Sequence, residues 1–268
     1  MLHASPLGRQ VSQPHTYRPD LLYPIPRHLG RHACDLDAER VACGVDLWTA
    51  YEMSWLNARG VPVVAIMQFC LPATSPNIIE SKSFKLYLNS FSDSRFASPE
   101  VVVQTLTADL TRVAGAPWDV QRLSMPEMMR LAPMAGQCID DVAIADPSFL
   151  RNAGYLQAQG AVVEETLYSD LLKSNCPVTA QPDWASLQVR YRGQQINREG
   201  LLRYILSYRN HTGFHELCVE QIYSDILQRC APTSLSVYAR YTRRGGIDIN
   251  PFRSNFESTP QNIRTYRQ

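Results

Sequence analysis

The sequence predicts an α+β protein whose two halves repeat one order of elements, β-β-α-α-β. Three observations carry this: β-rich apolar runs, helical runs with apolar residues three and four apart, and the recurrence of both in the same order. At 268 residues the chain exceeds the usual domain size, so one large or two medium domains are expected, each able to bury a core. An apolar fraction of 45% and a charged fraction of 19% are those of an ordinary soluble globular protein.

The first 33 residues are rich in Arg, Pro and His and read as an extended arm. Pro6, Arg9, Pro14, Arg18 and Pro19 interrupt any signal-peptide core. Val61–Phe69 is a β-rich run in which Pro62 fits only near the strand start, and Asn77–Ile79 is a shorter one. Residues 81–91 have helical composition. Ser98 can cap the next helix with Pro99 in its first turn, and Val102, Leu106, Leu110 and Val113 recur at helical spacing. Trp118–Met125 returns to strand. In the second half, Val162–Thr166 and Leu187–Tyr191 alternate as strands, and Asn197 caps a helix carrying Leu201, Leu202, Ile205 and Leu206. A helix from about Gly213 to Cys230 places Phe214, Cys218, Ile222, Ile226 and Cys230 four apart, and Leu235–Tyr241 closes as a strand. The expected organisation is an arm over 1–45, a first module over 46–125, a Pro/Gly-bearing linker over 126–160 and a second module over 161–268.

With 26 basic against 25 acidic side chains there is no global field to attract nucleic acid or an anionic membrane, and no apolar run reaches the ~18–20 residues of a membrane helix. The seven cysteines, irregularly spaced and without a Cys-x-x-Cys pair, read as reduced thiols of a cytoplasmic protein. His211, His215 and Cys218 imitate part of a zinc site but lack the remaining pattern, so no metal is expected.

Several segments carry chemistry. Glu80-Ser81-Lys82-Ser83-Phe84-Lys85 crowds a carboxylate, hydroxyls and two lysines into a strand-to-helix junction, where backbone N–H groups hold anions; a capped surface helix is the plainer reading. Cys176 precedes Pro177 at a strand end, in polar surroundings that include Lys173, which suits a nucleophile as well as an inert thiol. Asp183 follows Pro182 in what reads as a turn, and a seven-residue excursion can return it beside the thiol as a general acid/base. His215-Glu216 opens a helix; Glu216 belongs with Glu220 and Ser224 on its polar face, as a solvated residue or as a carboxylate gripping an amidine-like N–H pair. Arg243-Arg244-Gly245-Gly246 reads equally as a basic hairpin tip or a phosphate site. Neither a Gly-x-Gly-x-x-Gly nor a P-loop occurs, so any dinucleotide is held without those devices.

Together these segments resemble the NADPH-dependent 7-cyano-7-deazaguanine reductases, the QueF nitrile reductases of queuosine biosynthesis, in their long two-module form. The resemblance runs through Ile79–Tyr87, Leu171–Cys176, Gln181–Trp184, Phe214–Glu216 and Tyr238–Arg253. It implies tandem tunnelling-fold (T-fold) modules with antiparallel sheets and helix pairs on one face, acting as a homodimer. It implies that Cys176 forms a covalent thioimide with the nitrile carbon and that Asp183 is the acid/base. Ile79, Glu80, Ser81, His215 and Glu216 would bind the deazaguanine, and Ser81, Lys82, Arg244 and Gly245 would contact NADPH. Two NADPH are consumed per turnover, with neither metal nor flavin. The rivals are a metal-dependent, cyclohydrolase-like T-fold enzyme and a non-catalytic purine-binding module.

Overall fold

The computed structural model describes residues 16–124, 126, 130–177 and 179–268. In chain order the elements are β1 (Pro24–Pro26), α1 (Arg27–Ala33), α2 (Ala38–Val41), β2 (Val45–Leu56), β3 (Pro62–Pro72) and β4 (Asn77–Ile79). They continue with α3 (Ser81–Asn89), α4 (Pro99–Ala114), β5 (Asp119–Arg122), β6 (Gln137–Cys138), β7 (Ala158–Asn175) and β8 (Pro182–Ile196). The last are α5 (Arg198–Leu206), α6 (His215–Cys230), β9 (Ser234–Tyr241) and β10 (Ile247–Ser254). The chain is α+β. It divides into two compact units: Met1–Gly30, Leu47–Met129 and Arg243–Asp248 contribute to the first, and Arg31–Asp46, Arg130–Thr242 and Ile249–Gln268 to the second. Among the described residues no helix is long and apolar enough to cross a membrane.

In the first unit β3 lies between β5 and β2. Ala65, Met67, Phe69 and Leu71 point alternately inward while Val64 is exposed, the period-two pattern of a half-buried strand. Helix α4 closes this face with Val102, Leu106 and Leu110 fully buried at four-residue spacing. Its ends follow the expected chemistry: the Ser98 side chain accepts from Val101 N–H, Pro99 stands at the start, and Gly115 ends it in the left-handed region at φ 73°. Trp48, Phe69, Phe84 and Trp118 pack ring against ring at 5.0–6.3 Å between centroids.

Residues 1–15 of the expected arm lie outside the described residues; from residue 16 on, the segment packs onto the first unit and does not simply extend. Strand β1 pairs antiparallel with β4, Leu22 is buried, and the Tyr17 ring packs edge-on against Phe91 while its hydroxyl donates to Asp109. The few large apolar residues among the prolines are enough to tie the segment down.

The second unit orders its strands β10-β9-β8-β7-β6. Strands β7 and β8 form one long antiparallel hairpin with pairs running from Ala158↔Ile196 to Asn175↔Pro182. Helices α5 and α6 contribute Leu201, Ile205, Cys218, Ile222 and Ile226 to a core shared with Leu167, Leu187, Val189 and Val237. Within the segment expected as a linker over 126–160, Ile139 and Leu156 are buried in this core, and Gly160 lies inside β7. The polar stripe of α6 is also buried. Glu216, Glu220 and Ser224 are at most 4% exposed. Glu220 is compensated by Arg31, at 2.9 and 2.7 Å, and by Arg253 at 2.8 Å, which reaches Asp46 at 2.8 Å. Paired with arginines, Glu220 is buried where solvation alone would have left it outside.

Candidate active site

In the second unit the β7–β8 hairpin tip presents Cys176. Its N–H donates to Gln181 O at 2.9 Å and its carbonyl accepts from Ala180 N–H at 3.1 Å, so the thiol stands where the ladder ends. Ala180 turns the chain at φ 54°. Asp183 is a strand residue and not part of the turn: it opposes Ser174, which makes it the diagonal cross-strand neighbour of Cys176 on the same face. Cys176 is half-buried and Asp183 is 3% exposed. Lys173 is tied down, its amino group donating to Asn175 Oδ1 and Arg209 O at 2.7 Å each.

The segment before α6 docks on the end of β7. Asn175 N–H donates to His211 O at 2.8 Å, and Gly213 N–H donates to Asn175 O at 3.1 Å. A Cβ on Gly213 would lie 3.2 Å from both Cys218 Sγ and His211 Nε2, so a bare backbone is what lets the segment sit this close. The α6 N-terminus is thereby delivered to the hairpin tip. His215 Nε2 lies 3.3 Å from Asp183 Oδ2, and Glu216, in the first helical turn, is buried where the helix dipole favours an anion. Phe214 gives the helix no side-chain cap. The structure thus brings Asp183 and His215 into contact, with Cys176 and Glu216 adjacent to them along β7 and α6.

Behind this group lie Ser174, Cys218 and Tyr241, which the sequence did not mark as site residues. Burial pushes the Cys218 thiol up to about 12, with Ser174 opposing and the charges of Asp183 and Glu216 adding to the rise. Burial likewise lifts Tyr241 far above its usual value. His215 stacks on Tyr241 with ring centroids 3.7 Å apart and planes 4° apart. The alternation of β9 placed Tyr241 inward; nothing in the sequence said which ring it would meet.

The other expected residues belong to the first unit. Ile79 and Glu80 are 1% exposed, Ser81 and Lys82 are half-buried, and Gly245 lies in an exposed turn. Glu80 caps α3 with both oxygens, accepting from Lys82 N–H at 2.6 Å and Ser83 N–H at 2.7 Å. Two of the N–H groups at this helix start are thus taken by the helix's own cap, as the plainer reading of a capped helix has it. Burial raises the Glu80 carboxyl above the usual range, against the pull of these N–H bonds and of Lys85 and Lys82. The turn Arg243–Gly246 is the other basic segment of this unit. Gly245 adopts φ 60°, and a Cβ there would lie 3.2 Å from Lys85 Cδ and 3.6 Å from its Nζ. The Lys85 side chain thus lies against the side-chain-free backbone of Gly245. Among the described residues no group of three or more His, Cys, Asp or Glu could hold a metal ion.

Two family models match: residues 13–122 fit "Nitrile reductase, 7-cyano-7-deazaguanine-reductase N-term" and residues 182–260 fit "QueF-like protein". A relative from Bordetella pertussis named NADPH-dependent 7-cyano-7-deazaguanine reductase is 53% identical, covering 100% of this chain and 99% of that one. Relatives of the same name from Burkholderia vietnamiensis and Dechloromonas aromatica are each 52% identical, over 98% and 99% of this chain and 98% and 96% of theirs. The crystal structure of the archaeosine synthase QueF-Like in the apo form covers 36% of this chain and 94% of that one at 18% identity, with a TM-score of 0.30, too low to bear on the fold. With both models matched and identity above one half along its whole length, the chain belongs to the 7-cyano-7-deazaguanine reductase family of nitrile reductases.

Proposed function

We infer that the chain reduces the nitrile of 7-cyano-7-deazaguanine to the aminomethyl group with NADPH, a step of queuosine biosynthesis. Full-length identity to reductases of that name carries the reading. The clustering of Asp183, His215 and Glu216 at the hairpin tip that bears Cys176 supplies chemistry that suits it.

In the proposed mechanism the Cys176 thiolate adds to the nitrile carbon. One C–N π bond becomes a C–S bond, and the nitrogen takes a proton from Asp183. The resulting thioimide is a better hydride acceptor than the nitrile. NADPH, when bound, supplies one hydride in each of two reductions. After the first, the C–S bond breaks and Cys176 departs as thiolate, leaving an imine; the second gives the primary amine. Asp183 is buried and touches His215, so a proton can pass along this pair without bulk water, which would hydrolyse the imine. Glu216 would grip the paired N–H groups of the base with its two oxygens, beside His215. In the first unit Ile79, Glu80 and Ser81 are also proposed as base-binding residues, with Glu80 acting through the helix start it caps. Ser81, Lys82, Arg244 and Gly245, joined by Lys85, are proposed to hold NADPH.

The same reading takes the halves as tandem tunnelling-fold modules and the working form as a homodimer, which sedimentation of the purified chain tests. The chemistry is tested by mixing protein and nitrile without NADPH and weighing the intact chain. A gain of one substrate mass is expected for wild type and none for Cys176→Ala. Survival of the adduct in that variant, or full turnover after the thiol is capped, would remove Cys176 from its role.

A further inference from the structure

We propose that Tyr241 is a positioning residue for the reduction, holding the imidazole of His215 flat on its ring, and that Gln268 fixes Tyr241 in place. The catalytic consequence rests on the function proposed above; the geometry does not.

A histidine that serves a carboxylate is ordinarily oriented by a hydrogen bond at its other ring nitrogen. His215 lacks one. Nε2 meets Asp183 Oδ2 at 3.3 Å, but Nδ1 is buried and has no hydrogen-bond partner among the described residues. One contact leaves the ring free to rotate about the axis it defines. The stack on Tyr241, 3.7 Å between centroids and 4° from parallel, removes that freedom by presenting a flat apolar wall.

Tyr241 can act as a wall because it is buried and its backbone is held by hydrogen bonds. It is fully buried and registered opposite Ala185, two residues beyond Asp183 on β8, so the wall and the carboxylate share one strand frame. Its backbone is held from the side away from β8. The N–H donates to Asn250 Oδ1 at 3.1 Å, and the carbonyl accepts from Gln268 Nε2 at 3.0 Å. The same Gln268 amide donates to Asn250 Oδ1 at 2.8 Å, and its Oε1 accepts from Arg240 Nε at 2.7 Å and Thr265 N–H at 3.2 Å. Gln268 is 7% exposed, so these bonds are made away from competing water. The chain of contacts runs Gln268, Tyr241, His215, Asp183.

The test uses full-length Tyr241→Leu, Tyr241→Phe and Gln268→Ala. Tyr241→Leu is expected to lower kcat by roughly 10- to 100-fold, the scale of an ångström-sized misplacement, with KM for NADPH unchanged. Tyr241→Phe keeps the ring and should recover most of that loss. Gln268→Ala leaves the ring but loosens its backbone, so a several-fold loss of kcat in the same pH range is expected. It also keeps the proposal testable if the leucine variant fails to fold. NMR of His215 reads the stack directly. Its ring protons should lie upfield in wild type and Tyr241→Phe and move downfield in Gln268→Ala. Wild-type kcat and His215 shifts in folded Gln268→Ala, or a Phe variant as damaged as the Leu variant, would overturn the proposal. A wild-type protein that reduces no nitrile but keeps the upfield histidine would sink the function and leave the positioning intact.

Discussion

His215 Nε2 lies 3.3 Å from Asp183 Oδ2, a contact between the first residue of a helix and the second of a strand. Because Asp183 sits in the β7–β8 ladder opposite Ser174, its backbone is held by the neighbouring strand, which a turn aspartate would not enjoy. Asp183→Asn keeps the shape and removes the exchangeable proton. A fall in kcat of ~10²–10⁴ is expected, with the Cys176 adduct still forming slowly enough to be timed by stopped flow. Wild-type turnover in this variant would exclude the proton role.

The cysteines should separate by reactivity. Cys218 is held near 12 and Cys230 near 11 by burial, so both stay neutral thiols at pH 8. Half-buried Cys176 and exposed Cys138 are open to alkylation. Brief iodoacetamide treatment followed by peptide mass spectrometry should label Cys176 and Cys138 well before Cys218 and Cys230. Prior addition of the nitrile should protect Cys176 alone; protection of Cys138 instead would contradict the proposed nucleophile.

These outcomes differ in how far the sequence foresaw them. The caps at Ser98 and Asn197, the β4 run and the inward face of α6 were legible because each is a local pattern with a local cause. Strands β2 and β10 were not. In β2 nearly every residue of the first half is buried, so alternation vanishes, and β10 carries Asp248, Asn250, Pro251 and Arg253, which break any apolar pattern. Those polar residues are affordable only through distant partners: Arg253 reaches Asp46 and Glu220, and Asn250 reaches Tyr241 and Gln268. The same blindness hid the burial of Glu220 and the stack beneath His215, because spacing along one element says nothing about what a fold brings against it.

The buried charges around Glu220 give a stability prediction. Glu220→Gln leaves buried Arg31 and Arg253 sharing less negative charge, so a loss of about 3–5 kcal/mol is expected. Burial lowers the Arg253 pKa while Asp46 and Glu220 raise it; the net is a cation held well above its usual value, which charges itself to their presence. Denaturant unfolding checks this, and a change under 1 kcal/mol would mean that the network is not what holds α6 and β10 together.

At the proposed nucleotide turn, Gly245→Val adds a side chain at φ 60° and against Lys85. The expected result is a KM for NADPH raised by roughly tenfold or more through lost close approach and backbone strain, while the Cys176 adduct forms at the wild-type rate. If the variant binds NADPH normally but no longer forms the adduct, the turn serves the base and not the nucleotide.

Glu80 supplies a pH dependence whose sign is fixed. Burial raises its carboxyl, with the Lys82 and Ser83 N–H bonds and the two lysines only partly offsetting it. The protonated form is therefore favoured more in the folded than in the unfolded chain. That contribution is complete below the unfolded value, near ~4.3, and is lost as pH rises through the raised folded value. In Glu80→Gln the group cannot ionise and one of the two caps is lost, at about 0.5–2 kcal/mol. Wild type should thus exceed the variant in Tm most clearly near pH 4.5, and the gap should narrow toward pH 7.5, because ionisation penalises only the wild type. Groups common to both proteins cancel in that difference. A gap that widens with pH would mean that the capping bonds outweigh burial and that Glu80 is folded as a comfortable carboxylate.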